Sequence, residues 1–308
     1  MSCFCAFLTF ELKVMKNNFV LLLSVEKKNI LNLQNFIFIY FSLKAKVMQI
    51  VTLTTDWGER DFYCGLVKSL LYNTISDVNV VDVTHGLKKF DILSASFVVK
   101  NACLAYPENT IHIIDVNTFE SANSSFLVVK ANGQYYICTD NGLPSLVFEN
   151  TEVEIYDTSR VFSESNFYTF AVWDNFCKIA KIISQTHSME TIGLRKEAFE
   201  VKKISSLAFV DKDFISSTII YIDDYGNAYL NIDNEEFVNI LAERRFEIRI
   251  GNKYIINKIS QSYQDVHSKG DALLTVSVTG QLELALREGN FAKLLDYKVG
   301  DAVEISIL

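Results

Sequence analysis

From Met48 to Val116 the chain alternates short apolar runs of strand length with longer stretches of helical spacing, and this alternation constrains the fold more than any other feature. Met48 to Thr55 (MQIVTLTT) reads as a buried strand that ends in the polar turn Asp56-Trp57-Gly58. In Asp61 to Asn73, residues Phe62, Leu66, Ser69 and Leu70 recur at helical spacing, and Asp61 is placed to cap the first turn. Asn79 to Thr84 reads as a second strand, Asp91 to Tyr106 as a second helix stopped by Pro107, and Thr110 to Val116 as a third strand. Strands joined through helices require right-handed crossovers, which predicts an α/β domain with a mostly parallel sheet. Ser125 to Ala131 and Gln134 to Thr139 flank Asn132-Gly133, a hairpin signal that makes the sheet mixed. A helix over roughly 169–184 closes this domain.

Beyond residue 204 the helical spacing gives way to short strands at Ser217 to Asp223, Asn227 to Ile232, Arg245 to Gly251, Tyr254 to Lys258, Asp271 to Val278 and Ala302 to Leu308. The turns between them, such as Asp224 to Asn227 and Thr279-Gly280, predict a smaller all-β, barrel-like C-terminal domain. The expected division is an N-terminal extension over 1–47, an α/β domain over 48–200 and a β-barrel-like domain over 205–308. The extension has apolar runs at Phe19 to Val25 and Phe36 to Leu43, separated by the charges Glu26, Lys27 and Lys28. Neither run reaches the roughly 20 apolar residues that a membrane-crossing helix needs, and no small-residue cleavage site follows the first. Met48 directly precedes the first convincing strand, so the segment reads as an addition with no role in the fold.

A net charge of -8, with no basic run to offset it, argues against nucleic acid or an anionic membrane as a partner and favours a cationic small ligand. Most of the six cysteines (Cys3, Cys5, Cys64, Cys103, Cys138, Cys177) sit in apolar runs, as free thiols do in a reducing compartment, so a cytoplasmic location is expected. The four histidines (His85, His112, His187, His267) show no metal-ligand spacing with the cysteines or each other, and no metal is expected.

In α/β sheets, ligands gather beyond the carboxyl ends of the strands. Three predicted strand ends carry an acid: Asp56, the Asp82/His85 pair and Asp115. Asp56 can accept two hydrogen bonds from a vicinal diol, or cap the next helix. Asp82 alternates inward within its strand, where a structural hydrogen bond with His85 would satisfy it. Asp115 suits either a loop cap or a ligand contact. No GxGxxG or P-loop fingerprint is present.

Seven segments in order, TLTTDWGERDFYCGLVKSLL, VVDVTHGLKKFDI, YPENTIHIIDVN, TDNGLPSLV, TFAVWDNF, IDDYGNAYLNI and TGQLELALREGNFAKLL, resemble the S-adenosylmethionine hydroxide adenosyltransferase family and its fluorinase and chlorinase relatives. The resemblance spans essentially all of 48–308. It implies an α/β domain joined to a β-barrel domain, a homotrimer, and S-adenosylmethionine held between the first domain of one subunit and the second domain of its neighbour, with no further cofactor. By the same resemblance Asp56 holds the ribose diol and Phe90 lines the pocket. Asp223, Tyr225 and Asn227 match methionine and adenine contacts, and Asn290 with Phe291 matches a late adenine-contact segment.

The family's hydrolases resemble one another in an Asp/Arg/His set that prepares water for attack at C5′. Here only the aspartate is matched, by Asp115. The arginine position falls near Ala122 and the histidine position on Ala171, and no arginine lies between Arg60 and Arg160. Thr118 falls where the fluorinase has a halide-contacting threonine. An incoming halide would, however, meet the charge of Asp115, a repulsion of about 4 kcal/mol at roughly 4 Å and an effective dielectric near 20. The resemblance therefore implies hydrolysis of S-adenosylmethionine to adenosine and methionine, with a non-catalytic binding or sensing protein as the alternative.

Overall fold

The computed structural model describes residues 11–15, 18–22, 48–118, 125–158, 170, 172–201 and 208–308. By its internal contacts the chain divides into Met1–Val47 and Met48–Leu308. Within the first unit, β1 (Glu11–Met15) and β2 (Asn18–Leu22) pair as an antiparallel hairpin. The apolar run Phe36 to Leu43 lies outside the described residues. Among the described residues no helix is long and apolar enough to cross a membrane.

The second unit opens on β3 (Gln49–Thr55), α1 (Tyr63–Thr74), β4 (Val78–Thr84), α2 (Ile92–Val98) and β5 (Ile111–Asp115), the expected strand-helix alternation. It continues with the hairpin β6 (Phe126–Ala131) and β7 (Gln134–Thr139), α3 (Leu143–Val147), β8 (Glu154–Asp157), α4 (Cys177–Thr186) and β9 (Leu194–Lys196). The strand order is β4-β3-β5-β7-β6-β8-β9. Three neighbouring pairs are parallel and three antiparallel, so the sheet is evenly mixed and not mostly parallel. The difference comes from β8 and β9, which extend the hairpin side by direct antiparallel pairing and need no crossover helix.

Strand alternation sorts this sheet's side chains into two cores. Val51, Leu53, Ile111, Ile113, Val128 and Ile137 pack with α1 and α4, while Ile114, Leu127, Val129 and Tyr136 pack with α2 and α3. Burial of each such aliphatic side chain contributes about 1.5–3 kcal/mol. Three helix ends differ from expectation. Asp61 does not cap α1, which starts only after Phe62 and has no side-chain cap. Asp91 does cap α2, accepting from Ser94 N at 3.0 Å, but that helix passes into a π-turn over Val99–Cys103. A second π-turn, Val172–Phe176, leads into α4.

The C-terminal half contains β10 (Phe209–Val210), β11 (Phe214–Ile222), β12 (Ala228–Asp233), α5 (Asn234–Leu241), β13 (Phe246–Ile250), β14 (Tyr254–Ile256), β15 (Ile259–Ser260), β16 (Ala272–Val276), β17 (Gln281–Leu286), α6 (Phe291–Leu295) and β18 (Ala302–Ile307). Eight strands run in the order β14-β13-β18-β11-β12-β17-β16-β15, with β10 on β11. The sheet curls into a half-barrel around Ile219, Leu230, Phe237, Ile248, Leu284 and Ile305. The two halves meet where Phe97 of α2 stacks on Tyr221 with ring centroids 4.7 Å apart and meets Tyr229 edge-on at 5.3 Å.

Candidate functional site

The carboxyl ends of β3 and β5 lie side by side, because the parallel register sets Thr55 opposite Asp115. Asp56, the residue after β3, and Asp115, the last residue of β5, are thereby drawn into one polar corner. Asp56 is buried, and its Oδ2 accepts from Phe90 N at 2.8 Å and Asn117 N at 3.4 Å. Among the described residues no hydrogen bond reaches its Oδ1, which leaves an acceptor for a ligand hydroxyl. Phe90 supplies its N–H from a left-handed conformation at φ 65°, which an aromatic residue rarely adopts, and its ring is 62% exposed. Such strain persists only where surrounding bonds enforce it, and here the bond from Phe90 N to Asp56 Oδ2 is one of them. Lys89 Nζ donates to the Asp56 carbonyl.

Asp115 is the more perturbed acid. The indole Nε1 of Trp57 donates to its Oδ2, while its Oδ1 is buried with no hydrogen-bond partner among the described residues. Burial pushes the carboxyl up to about 6, against the pull of the Thr118 hydroxyl and the Trp57 indole and with a further push from Asp56. A buried acceptor left unpaired is costly, and such groups concentrate at working sites. The loop after Asp115 is held from the far side: Asn141 Nδ2 donates to the carbonyls of Val116 and Asn117 at 3.0 and 3.1 Å. Thr118 Oγ1 lies 3.0 Å from Thr139 Oγ1. Ala122, near which the arginine position falls, and Ala171, the histidine position, lie outside the described residues.

The second group of site residues lies in the turn between β11 and β12. Asp223 Oδ1 accepts from Asn227 N at 2.8 Å and its Oδ2 from Asn227 Nδ2 at 3.1 Å, so one carboxylate closes the loop on both oxygens. Gly226, at φ 83°, is pressed against Asn290, where an added Cβ would stand 2.1 Å from the amide carbon. Asn290 caps α6 through Lys293 N at 2.7 Å, and Ala292 N donates to Gly226 O at 2.9 Å. The turn and the start of α6 are therefore one rigid piece. Tyr225 projects from it with 81% of its surface exposed, whereas the side chain of Phe291 is wholly buried in the second core. Behind the turn, Asn227 Nδ2 reaches Tyr263 Oη at 3.5 Å, and Tyr263 donates to the buried Glu283 at 2.5 Å. Burial raises the Glu283 carboxyl, the Tyr263 bond opposes that, and nearby Asp223 adds to it.

Within one chain the structure brings Asp56, Phe90 and Asp115 together, and separately Asp223, Tyr225, Asn227 and Asn290. No hydrogen bond or ring contact among the described residues joins the two groups. A cleft of about 260 Å³ between α2 and β12 is lined by Phe97, Lys100, Glu149, Asn231 and Glu236 and contains none of them.

Sequence reasoning passed over Trp57, Asn141 and the surroundings of His85. Trp57 is 7% exposed and stacks on His85 with centroids 5.7 Å apart. A tryptophan in a turn between acidic residues needs a partner for its N–H, and that was the available signal. Asp82 does not point inward. Its side chain is 37% exposed and pairs with Lys68 at 2.5 Å and His85 Nε2 at 3.1 Å. Those contacts and burial together leave its carboxyl below the usual range, the bonds from Lys68 and His85 outweighing the desolvation. Cys64 Sγ also lies 3.1 Å from His85 Nε2, although no spacing in the sequence links them.

This architecture is an α/β half with acids at parallel strand ends, where α/β sheets gather ligands, followed by a curled β half with a rigid Asn-bearing turn. The chain belongs to the SAM hydroxide adenosyltransferase family: the model of its N-terminal domain matches residues 51–193 and that of its C-terminal domain residues 217–304. It is 25% identical over 276 residues to an (R)-S-adenosyl-L-methionine hydrolase of Methanocaldococcus jannaschii, covering 85% of this chain and 98% of that one. It is 22% identical over 289 residues to the fluorinase of Actinopolyspora mzabensis, covering 83% and 97%. Among solved structures, an uncharacterized conserved protein from Thermotoga maritima superposes with a TM-score of 0.74 at 26% identity, over 83% of this chain and 99% of that one. A conserved hypothetical protein from Thermus thermophilus shares the fold with a TM-score of 0.65 at 20% identity, over 85% and 100%.

Proposed function

We propose that this protein binds S-adenosylmethionine and hydrolyses it to adenosine and methionine, with water attacking C5′ and the sulfonium departing as the thioether of methionine. The observation that carries the reading is Asp115: a buried acid whose Oδ1 has no hydrogen bond among the described residues, one residue-width from the Asp56 corner. In this reading Asp56 takes the ribose hydroxyls, Phe90 flanks them, and Oδ1 of Asp115 orients the attacking water. A sulfonium is a good leaving group, so positioning in a dry corner supplies much of the rate. Asp115 remains mostly ionised at neutral pH, since its carboxyl titrates at about 6, and the same charge disfavours a halide nucleophile.

The rigid turn of Asp223, Tyr225 and Asn227 with Asn290 supplies the other wall, holding the methionine and adenine ends. Because no hydrogen bond or ring contact among the described residues joins the two groups, we place the ligand between neighbouring subunits of a homotrimer. A second reading, a binding or sensing protein without turnover, is favoured by one observation: no arginine lies between Arg60 and Arg160, and by the resemblance the family's histidine position falls on Ala171.

The test incubates purified protein with S-adenosylmethionine and follows adenosine and methionine by chromatography, with affinity by calorimetry. Hydrolysis predicts both products in equal amounts. Asp56→Ala is expected to weaken binding on the order of 100- to 1,000-fold, as two charge-assisted hydrogen bonds are lost. Binding without products establishes the sensing reading, and absence of binding overturns both.

A further inference from the structure

Three potential metal ligands from separate parts of the first half converge beside the Asp56 corner. Cys64 comes from the first turn of α1, Asp82 from β4 and His85 from the loop after it, and their donor atoms all lie within 4.8 Å of one another. We propose that Cys64, Asp82 and His85 form a binding site for a divalent transition-metal ion of borderline softness, zinc foremost. The inference stands on these side chains alone and is independent of the proposed hydrolysis.

The arrangement favours coordination over a proton relay. In a nucleophile-base-acid relay the imidazole is used at both ends, with the acid on one nitrogen and the nucleophile on the other. Here Cys64 Sγ and Asp82 Oδ1 both approach the same nitrogen, Nε2, each at 3.1 Å. Three donors facing one point are what an ion in their midst requires. A tetrahedral zinc with ligand bonds of about 2.0–2.3 Å would set S···N and N···O edges near 3.5 and 3.3 Å, so these two edges need to open by about 0.4 and 0.2 Å.

The other imidazole nitrogen is engaged in the way metal sites use it. His85 Nδ1 lies 2.7 Å from Thr55 Oγ1 on the buried strand β3, and donation to that hydroxyl leaves the Nε2 lone pair for a metal. The ring is fixed further by stacking on Trp57 at 16° between planes, and the His85 carbonyl accepts from Gly58 N at 2.7 Å. Lys68 holds Asp82 by Oδ2, which leaves Oδ1 as a single-oxygen ligand. The two outer ligands are reachable from solvent, with Cys64 half-buried and Asp82 37% exposed, so an ion has an entry path and water can fill the fourth position. Binding displaces the Cys64 thiol proton to the buffer. A thiolate-imidazole-carboxylate set selects zinc or cobalt(II) over magnesium or calcium, which prefer all-oxygen shells.

The test uses the full-length, untagged, reduced protein after chelator treatment, titrated with zinc alone against a chromophoric chelator and, separately, with cobalt(II). The expected result is one equivalent of zinc, a rise in melting temperature, and a sulfur-to-cobalt charge-transfer band with tetrahedral visible transitions. Cys64→Ser and His85→Gln are expected to weaken zinc binding by at least ~100-fold, and Thr55→Val, which removes only the supporting hydroxyl, by roughly 10- to 100-fold. Cys3→Ser with Cys5→Ser should leave affinity unchanged. The cobalt spectrum needs no variant and so survives any folding defect in one. Absence of stoichiometric zinc, a cobalt spectrum without a thiolate band, or loss of binding in the Cys3/Cys5 variant would overturn the proposal.

Discussion

The two halves of this protein put their carboxylates to opposite uses. In the α/β half, Asp115 is buried, one of its oxygens has no hydrogen bond among the described residues, and its ionisation is displaced to about 6. In the β half, Asp223 spends both oxygens closing its own turn onto Asn227. An acid whose bonding is complete within its own loop fixes shape; one held dry and incompletely bonded is poised to act on something brought to it. Under the proposed function the first half supplies the reacting carboxylate together with the ribose contact of Asp56, and the second half supplies recognition alone.

The largest effect is expected from Asp115→Asn. Turnover should fall by about 10²- to 10⁴-fold if the carboxylate orients or deprotonates water, with affinity for S-adenosylmethionine within a few-fold of wild type. Stability should move the other way. An acid whose pKa rises from 3.8 to about 6 on folding contributes stability that is present below 3.8 and lost as pH climbs through 6. That shift corresponds to about 3 kcal/mol at neutral pH. The asparagine variant should therefore melt above wild type at pH 7, with the gap closing toward pH 4. Equal melting temperatures at pH 7 would show that the acid carries no such burden and would remove the contrast between the halves.

The first half also carries a buried group with the reverse pH dependence. His112 lies between Thr52 Oγ1 at 2.7 Å and Gln134 Oε1 at 3.2 Å, and burial lowers its pKa from 6.5 to about 4. A histidine held neutral by the fold contributes stability that is present above 6.5 and drains away as pH falls toward 4. The loss is of order 3 kcal/mol. Between pH 7 and 4 wild type should lose about 3 kcal/mol more stability than His112→Gln in parallel thermal melts, whatever that substitution costs at pH 7. Parallel curves would place the acid sensitivity elsewhere.

Where local chemistry decided the structure, it was legible in the sequence. Asn132-Gly133 adopts the two positive φ angles, 50° and 74°, that its hairpin needs, and Asp91 caps α2. The acids at the ends of β3 and β5 could be named because a parallel strand's end is readable from its apolar run. What escaped notice depends on pairings between distant segments. Alternation alone predicts an inward Asp82, yet β4 is the edge strand of its sheet and Lys68 on α1 meets an outward carboxylate. Cys64 and His85 meet because α1 crosses beside β4, which no spacing records. The π-turns at Val99–Cys103 and Val172–Phe176 likewise continue helical periodicity without a break that composition could show.

In the second half the expected effects are smaller, because they act through shape. Gly226→Ala meets two obstacles: a backbone at φ 83°, and the Asn290 side chain 2.1 Å from the new Cβ. The strain should cost about 1–3 kcal/mol of stability and loosen the turn from α6. Affinity should fall with kcat changed far less, measured by calorimetry beside product formation. If kcat fell as steeply as affinity, the β half would be taking part in the chemistry.

Tyr225→Ala isolates recognition from structure. The ring is 81% exposed, so its removal uncovers no core, and the melting temperature should stay within about a degree of wild type. If the ring stacks on a ligand held by a neighbouring subunit, affinity should fall by a few-fold to about tenfold, in keeping with the roughly 0.5–1.5 kcal/mol of an aromatic contact. The sharper version mixes Tyr225→Ala subunits with Asp56→Ala subunits. A site built from two chains predicts that mixing restores some intact sites, each drawing Asp56 from one subunit and Tyr225 from the next. A site confined to one chain predicts no recovery, because every subunit would then carry its own defect.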